Sequence, residues 1–512
     1  MKSPFFNIRP PYTLPSNIVY FHDWRYVNTG AYAWRGPKGE NVPMLAPGPV
    51  PAMQYEYLNM PLGVRLEAQP SRTTDWVLHA KTTGDMGLIG GTLTKEDGVY
   101  RLWAESWLQE HFEKGEAGWY NALRYWESDD GIKWKAPRVG KSKLGKRYPN
   151  LVFGADLTSK QGYHGGSIFF DPSGPKSERY KAFHLGLINR QQYAAYSRKR
   201  PADVDPFVVQ SLKHREVTHS LYGATSPDGI RWKAIPETIL GMFSDTGNIC
   251  EYDPVLKKYV AYVRTWLFHR RGIGRTVSDD FRRFPIPDEI FWPDSGQEPH
   301  NTWYSSGKTQ MPGASDYHIM FPLRWSLPTD HFEFHLAASP DNVVWNHVPG
   351  GAVCKPGAPG RWDAGVVAAC KSMVEWGKDR IGVLCAATPI PHKYPRRPPF
   401  GGLGWAWWPK GRLVALKSPL EGSFTLWPFW LKRRRVYLNF RTTMTGSVQV
   451  EALAEGKVIA GQSFADCDTL SGDHLDRVVT WRGKTDLGHK TGECVELRFR
   501  LRNADLFSVE FK

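Results

Sequence analysis

The 512-residue chain is 41% apolar and 13% aromatic, enough to bury a large core, which excludes wholesale disorder and favours two or three domains over one. Its 49 glycines and 39 prolines are scattered between short apolar runs with few long amphipathic patterns, a balance that favours an all-β protein rich in turns. A net charge of +15 favours anionic partners through the long-range field, and otherwise serves solubility.

The opening stretch, MKSPFFNIRPPYTLP, lacks a secretory apolar core and carries early prolines. It points to the cytoplasm if Met1 is native, and to secretion or the periplasm if a signal was trimmed. The segment FHDWRYVNTGAYAWRG (21–36) reads as chain that wraps the outside or closes a ring. The first hairpin is GGTLTKEDGVYRLWAES (90–106), with KEDG as its turn.

A recurring phrase follows. It comprises Ser128, Asp130, Gly131 and Trp134 in YWESDDGIKWKAP (125–137), and Ser226, Asp228, Gly229 and Trp232 in LYGATSPDGIRWKAIPE (221–237). GRTVSDDFRRFPIP (274–287) keeps Ser278 and Asp280 with Phe281 and Phe284, and LAASPDNVVWNHVP (336–349) has Ser339, Asp341, Asn342 and Trp345. Ser and Asp side chains cap turn amides, Gly or Asn accepts a positive φ, and the aromatic packs back on the preceding strand. Each copy is therefore a hairpin joining two strands.

A second phrase, strand then Asp-Pro turn then alternating strand, runs through Asp171-Pro172 and Asp253-Pro254. Five first hairpins, near 90, 167, 248, 308 and 366, predict five four-stranded units, the content of five propeller blades. The Ser positions lie 98, 52 and 61 residues apart, so the long first interval carries inserted loops, chiefly 189–220. The fifth unit finishes through GLGWAWWPKGRLVALKS (402–418). Beyond 418 the phrase disappears and plain alternation predicts a β-sandwich. The expected organisation is an N-terminal segment (1–74), a propeller (75–418) and a sandwich (419–512) that shields or binds sugar.

No zinc-knuckle spacing, RNA-binding aromatic signature or recognition helix is present, so nucleic acid is not the expected partner. No run approaches the length of a membrane helix. The six cysteines fall at wide intervals without a metal or redox pattern; Cys467 and Cys494 lie in one region and allow a bridge, against free buried thiols. No metal or cofactor is expected. The 22 tryptophans divide between core packing and a cleft in which flat indoles stack on sugar rings.

With its S-x-D-G-x-x-W hairpins, five units and C-terminal sandwich, the chain resembles the five-bladed propeller glycoside hydrolases: the arabinanase/β-xylosidase, invertase and anhydrogalactosidase families. The resemblance covers about residues 75–512, and sialidases carry a related box on six blades. The invertase N-D-P-N-G motif is missing here. The resemblance implies that the start of each unit's first strand faces a central cleft, whereas the hairpin aspartates are structural. The strand starts offer Asp85, His164, Asp245, Glu298, His300 and Asp363, and second strands add Glu105, His184, Arg264 and Arg324.

Glycoside hydrolysis needs one protonated and one ionised carboxyl group across the scissile bond. The allocation is Asp245 as base or nucleophile, Glu105 or Glu298 as acid, and Asp85 and Asp363 orienting the sugar. His164, His184, His300, Arg264 and Arg324 would contact substrate. The expected function is an exo-acting glycosidase on a polysaccharide or oligosaccharide, with the basic charge favouring anionic groups on it. A glycoside phosphorylase and a non-catalytic sugar-binding propeller are the competing readings.

Overall fold

Strands of alternating character pair edge to edge, and a strand packed between two other sheets becomes apolar on both faces. Both patterns appear in the computed structural model, which describes residues 3–30, 34–35, 37, 41–42, 60–109, 121–139, 143–154 and 162–512. The protein is all-β; among the described residues the two longer helices, Arg190–Lys199 and Pro206–His214, both fall in the long insertion of the second unit.

Four antiparallel sheets follow the predicted hairpins. The first unit is Gly87–Glu96, Val99–Trp107, Ala122–Ser128 and Leu151–Gly154; the second is His164–Phe170, Tyr180–Asn189, Val217–Ser226 and Lys233–Ala234. The third is Ile249–Asp253, Lys258–Leu267, Arg270–Ser278 and Asp288–Phe291. The fifth contains Val366–Ala369, Arg380–Thr388 and Gly402–Pro409, and its outer strand is Arg72–His79 from far upstream. The fourth unit is split. Thr309–Met311 and Ala314–Met320 pair in one sheet, and Leu323–Ser326 pairs in another, with Pro322, which has no N–H to donate, at the break.

The first strands touch in a closed circuit. Thr92 Oγ1 accepts from Ile168 N at 2.9 Å, and Ser167 Oγ from Cys250 N at 3.0 Å. Lys308 pairs with Glu251 at 2.5 Å, and Thr309 Oγ1 accepts from Met373 N at 2.8 Å. Lys371 N donates to Gly91 O at 3.0 Å, returning to the first unit.

The recurring phrase fastens one unit to the next. Ser226 Oγ accepts from Gly229 N at 2.9 Å, and Asp228 Oδ1 from Ile230 N and Arg231 N at 3.0 and 2.8 Å. Gly229, at φ +75°, leaves its carbonyl free for two indoles: Trp232 of the same turn at 2.8 Å and Trp103 of the first unit at 2.6 Å. Trp405 of the fifth unit reaches Gly131 O in the first at 2.8 Å, and Tyr262 of the third bonds Asn342 in the fourth. Asn342 holds φ +60°, the conformation its glycine counterparts adopt. Trp103, Trp232 and Trp405 are thus used as fastenings between or within units.

Residues beyond 418 join one continuously hydrogen-bonded eight-stranded sheet, built on the long pair Val436–Ala454 and Cys494–Phe511 with a register break between Thr442 and Ser447. Ile18–Tyr20 pairs with its last strand and Arg65–Ala68 with Val414–Thr425, so the N-terminal segment contributes strands to this sheet. The expected limits at 74 and 418 each fall inside a strand. One hydrophobic cluster runs from Phe321 and Trp408 of the units to Phe440 and Phe499 of the terminal sheet. Of the segment 21–36, residues 31–33 and 36 lie outside the described residues; Val27 bridges Leu426. All six cysteines are free, Cys467 and Cys494 included.

Candidate active site

Where the first strands start, their ends enclose a cavity of about 430 Å³. Gly165, Gly166, Asp245 to Ile249, Tyr304, Ser305, Gly307, Val366 and Ala368 to Lys371 line it, with Glu105 and Trp107 from the first unit and His219 from the second. The connection after Thr388 supplies His392, Lys393, Arg396 and Phe400 along one side. Gly165 has φ +54°, and a Cβ there would lie 2.5 Å from Thr246 Cα, so only glycine lets the second and third units meet at this rim.

Glu105 and His164 form the centre of the polar wall. The Glu105 carboxylate accepts from Asn121 Nδ2 at 2.5 Å, Gly165 N at 2.7 Å and Trp107 Nε1 at 3.3 Å, and lies 2.7 Å from His164 Nδ1. Burial raises its pKa, but His164 and the other donors outweigh burial and hold it below the ordinary value. For His164 the signs reverse: burial lowers its pKa, but Glu105 and then Asp245 outweigh burial and hold it above the ordinary histidine value.

Asp245 is the second carboxylate in the wall. Arg264 Nη1 lies 2.6 Å from Asp245 Oδ2, and Thr246 N donates to Oδ1 at 2.8 Å. Burial pushes this carboxyl up, but Arg264, then His164 and His219, hold it well below the usual carboxylate range. Arg264 itself is fully buried, its other nitrogens held by Tyr304 O at 2.7 Å and by Thr246 O at 2.9 Å, with its Cζ 3.7 Å from the Tyr304 ring centroid.

The structure brings together Asp245, Glu105, His164 and Arg264, and places the other expected residues elsewhere. Asp85 is buried against Arg124, both oxygens 2.7 Å from Nη1, away from the cavity lining. Glu298 is exposed and accepts from Asn301 Nδ2 at 2.6 Å; His300 beside it is half-buried, its carbonyl accepting from Leu327 N. Asp363 is buried in a local pair with Arg361 at 3.0 Å. Arg324 pairs with Glu333 on the outer part of the fourth unit. His184 is buried beneath the cavity wall between Phe153 and Tyr163, and burial lowers its pKa to about 4, so it is neutral. These six lie outside the cavity lining; a charge that begins or ends a strand can be satisfied by a local pair without facing a cleft.

Sequence reading missed Trp107, Asn121, His219, Tyr304 and Lys371, and the run 389–400. One signal was available: Trp107 follows Glu105 by two residues, so both point to the same side of their strand. Lys371 is buried in the floor and bonds the Cys250 carbonyl; burial lowers its pKa to about 8, against the pull of Glu251. No group of residues suited to a metal ion occurs among the described residues.

The Glu105–His164 pair carries a pH signature. The His164 pKa is raised above 6.5 in the folded state, so its contribution is complete below pH 6.5 and lost as pH rises through the raised value. The Glu105 pKa is depressed below 4.5, so its contribution is complete above pH 4.5 and lost as pH falls through the depressed value. Melting temperature should therefore decline above pH 6.5, and Glu105→Gln should flatten that decline. Parallel declines in the two proteins would contradict the pairing.

No family model matches this sequence, and no curated protein does. Solved structures are similar to it at low identity. One described as a glycoside hydrolase shares 11% identity at a TM-score of 0.44, over 66% of this chain and 90% of its own. The β-1,2-mannobiose phosphorylase of Listeria innocua shares 11% at 0.42, over 64% and 91%. The exo-inulinase of Aspergillus awamori shares 11% at 0.39, over 87% and 98%.

Proposed function

We propose that this protein is a glycoside hydrolase acting at the cavity between Asp245 and Glu105. The observation that carries the reading is the arrangement in one wall of two carboxylates, Glu105 and Asp245, with His164 coupled to both: it lies 2.7 Å from Glu105, both carboxylates raise its pKa, and it lowers theirs. Asp245, held ionised by Arg264, faces the developing positive charge at the anomeric carbon or attacks it. The Glu105–His164 couple holds one proton and delivers it to the leaving oxygen, then recovers it from the attacking water. This assigns the acid to the couple, because Glu105 alone is ionised at rest. Trp107 and Phe400 bring apolar rings to the lining for a sugar to pack against.

A cavity of about 430 Å³ sits at the low end of ligand pockets, which suits removal of a terminal sugar. Lys393 and Arg396 on the rim have no carboxylate ion pair among the described residues, which supports a substrate carrying anionic groups. The five units are read as blades of a propeller over about 75–418, and the terminal sheet, bent at its register breaks, as the appended sandwich over 419–512. The circuit of first-strand contacts supports the former. The same rim cations favour a glycoside phosphorylase as the second reading, since Lys and Arg can hold phosphate.

The test is a hydrolysis screen over aryl glycosides and neutral and acidic oligosaccharides, with and without phosphate. The wild type should release one terminal sugar, and Glu105→Gln should lower kcat about 10²–10⁴-fold. Turnover only with phosphate would replace the hydrolase by the phosphorylase. Unchanged turnover in Glu105→Gln would remove the couple from the chemistry.

A further inference from the structure

The helical insertion of the second unit ends against the cavity. Asp205, which caps the helix Pro206–His214, accepts from Phe207 N at 2.8 Å through one oxygen and from Phe243 N at 2.7 Å through the other. One carboxylate therefore fixes an insertion residue beside a residue of the loop that leads to Asp245. Their rings meet at a centroid distance of 4.4 Å.

From this contact a file of rings runs back to the cavity. Phe243 is stacked on His219, with centroids 4.9 Å apart and planes within 3°, and His219 lines the cavity. On its other side Phe243 meets Trp266 at 5.1 Å. Phe207 is 56% exposed, whereas Phe243, Trp266 and His219 are half-buried. Phe243 rests in part on the insertion's own apolar cluster, but Phe207 is left open, so the rings form a partly open apolar shelf that meets the cavity through His219. Aliphatic faces of sugar rings fit such a shelf, because C–H groups lie against the π-face while the hydroxyls remain in water.

We propose that Phe207, Phe243 and Trp266 form a sugar-binding subsite outside the cavity, which holds a further residue of the same oligosaccharide chain whose end enters between Asp245 and Glu105. This rests on the reading of the cavity as a carbohydrate site and adds that the substrate is a chain long enough to span both. The insertion thereby sets chain-length preference, and Asp205 is a positioning residue that holds the two phenyl rings together.

Isothermal titration calorimetry with cello-, xylo-, arabino- and galacturono-oligosaccharides of two to five units tests the subsite without requiring turnover. In at least one series, affinity should rise about three- to tenfold at the length that reaches the shelf, the scale of one aromatic contact. Phe207→Ala should abolish that step, so that long and short members bind alike, and Phe207→Trp should restore it. A step that survives Phe207→Ala, no step in any wild-type series, or no binding at all would overturn the proposal. Product analysis on the same series keeps the two readings apart. A step without hydrolysis would retain the subsite and remove the hydrolase, and hydrolysis without a step would do the reverse.

Discussion

Asp245→Asn is expected to lower kcat about 10³-fold, the loss typical when a carboxylate taking part in the chemistry becomes an amide of the same shape. The amide keeps the hydrogen bond from Thr246 N but removes the only carboxylate ion pair of Arg264 among the described residues. Arg264 would then be a fully buried cation held by carbonyls and a hydroxyl, at a stability cost of about 1.5–3 kcal/mol. The double variant Asp245→Asn/Arg264→Met should recover part of that stability and none of the turnover. Steady-state kinetics beside urea denaturation measure the two effects separately. Retained activity in Asp245→Asn would remove this residue from the reaction, whatever its effect on stability.

Asp85→Ala should do the opposite. Its carboxylate is fully buried, takes both hydrogen bonds from Arg124 Nη1 at 2.7 Å, and lies outside the cavity. The Arg124 guanidinium, packed over Trp126 and Tyr148, would remain buried without its counter-charge. Breaking one partner of such a pair costs about 3–5 kcal/mol. The denaturation midpoint should fall accordingly, with kcat per folded molecule unchanged. Lost turnover at unchanged stability would return Asp85 to the catalytic group.

These contrasting fates show what the amino-acid order carried. The strands were legible because Ser-x-Asp-Gly and Asp-Pro phrases report local chemistry: a capped amide, a positive φ, a fixed proline. His164 and Asp245 were legible because glycines flank them where units approach closely. Glu105 and Arg264 stood out as charges at the end of apolar alternations. The same cues selected Asp363 and Glu298, whose partners Arg361 and Asn301 lie two and three residues away. A nearby partner satisfies a charge without any cleft, and the alternation alone does not distinguish the two cases. Asn121, His219 and Tyr304 escaped because their importance depends on contacts across units, such as Asn121 with Glu105 and Tyr304 with Arg264.

The pairing of Arg72–His79 with Gly402–Pro409 sets a timetable for the growing chain. More than three hundred residues separate the two strands, so at about 5–20 residues per second the earlier one waits tens of seconds for its partner. During that wait it is an unpaired edge, the kind that recruits other chains. Its sequence, RTTDWVLH, suits the delay: Arg72, Thr73, Thr74 and Asp75 put charge and hydroxyls on the half that finishes exposed, and the more buried residues come last. That sheet is thus completed only late in synthesis, by a strand whose first half is composed to remain soluble until then.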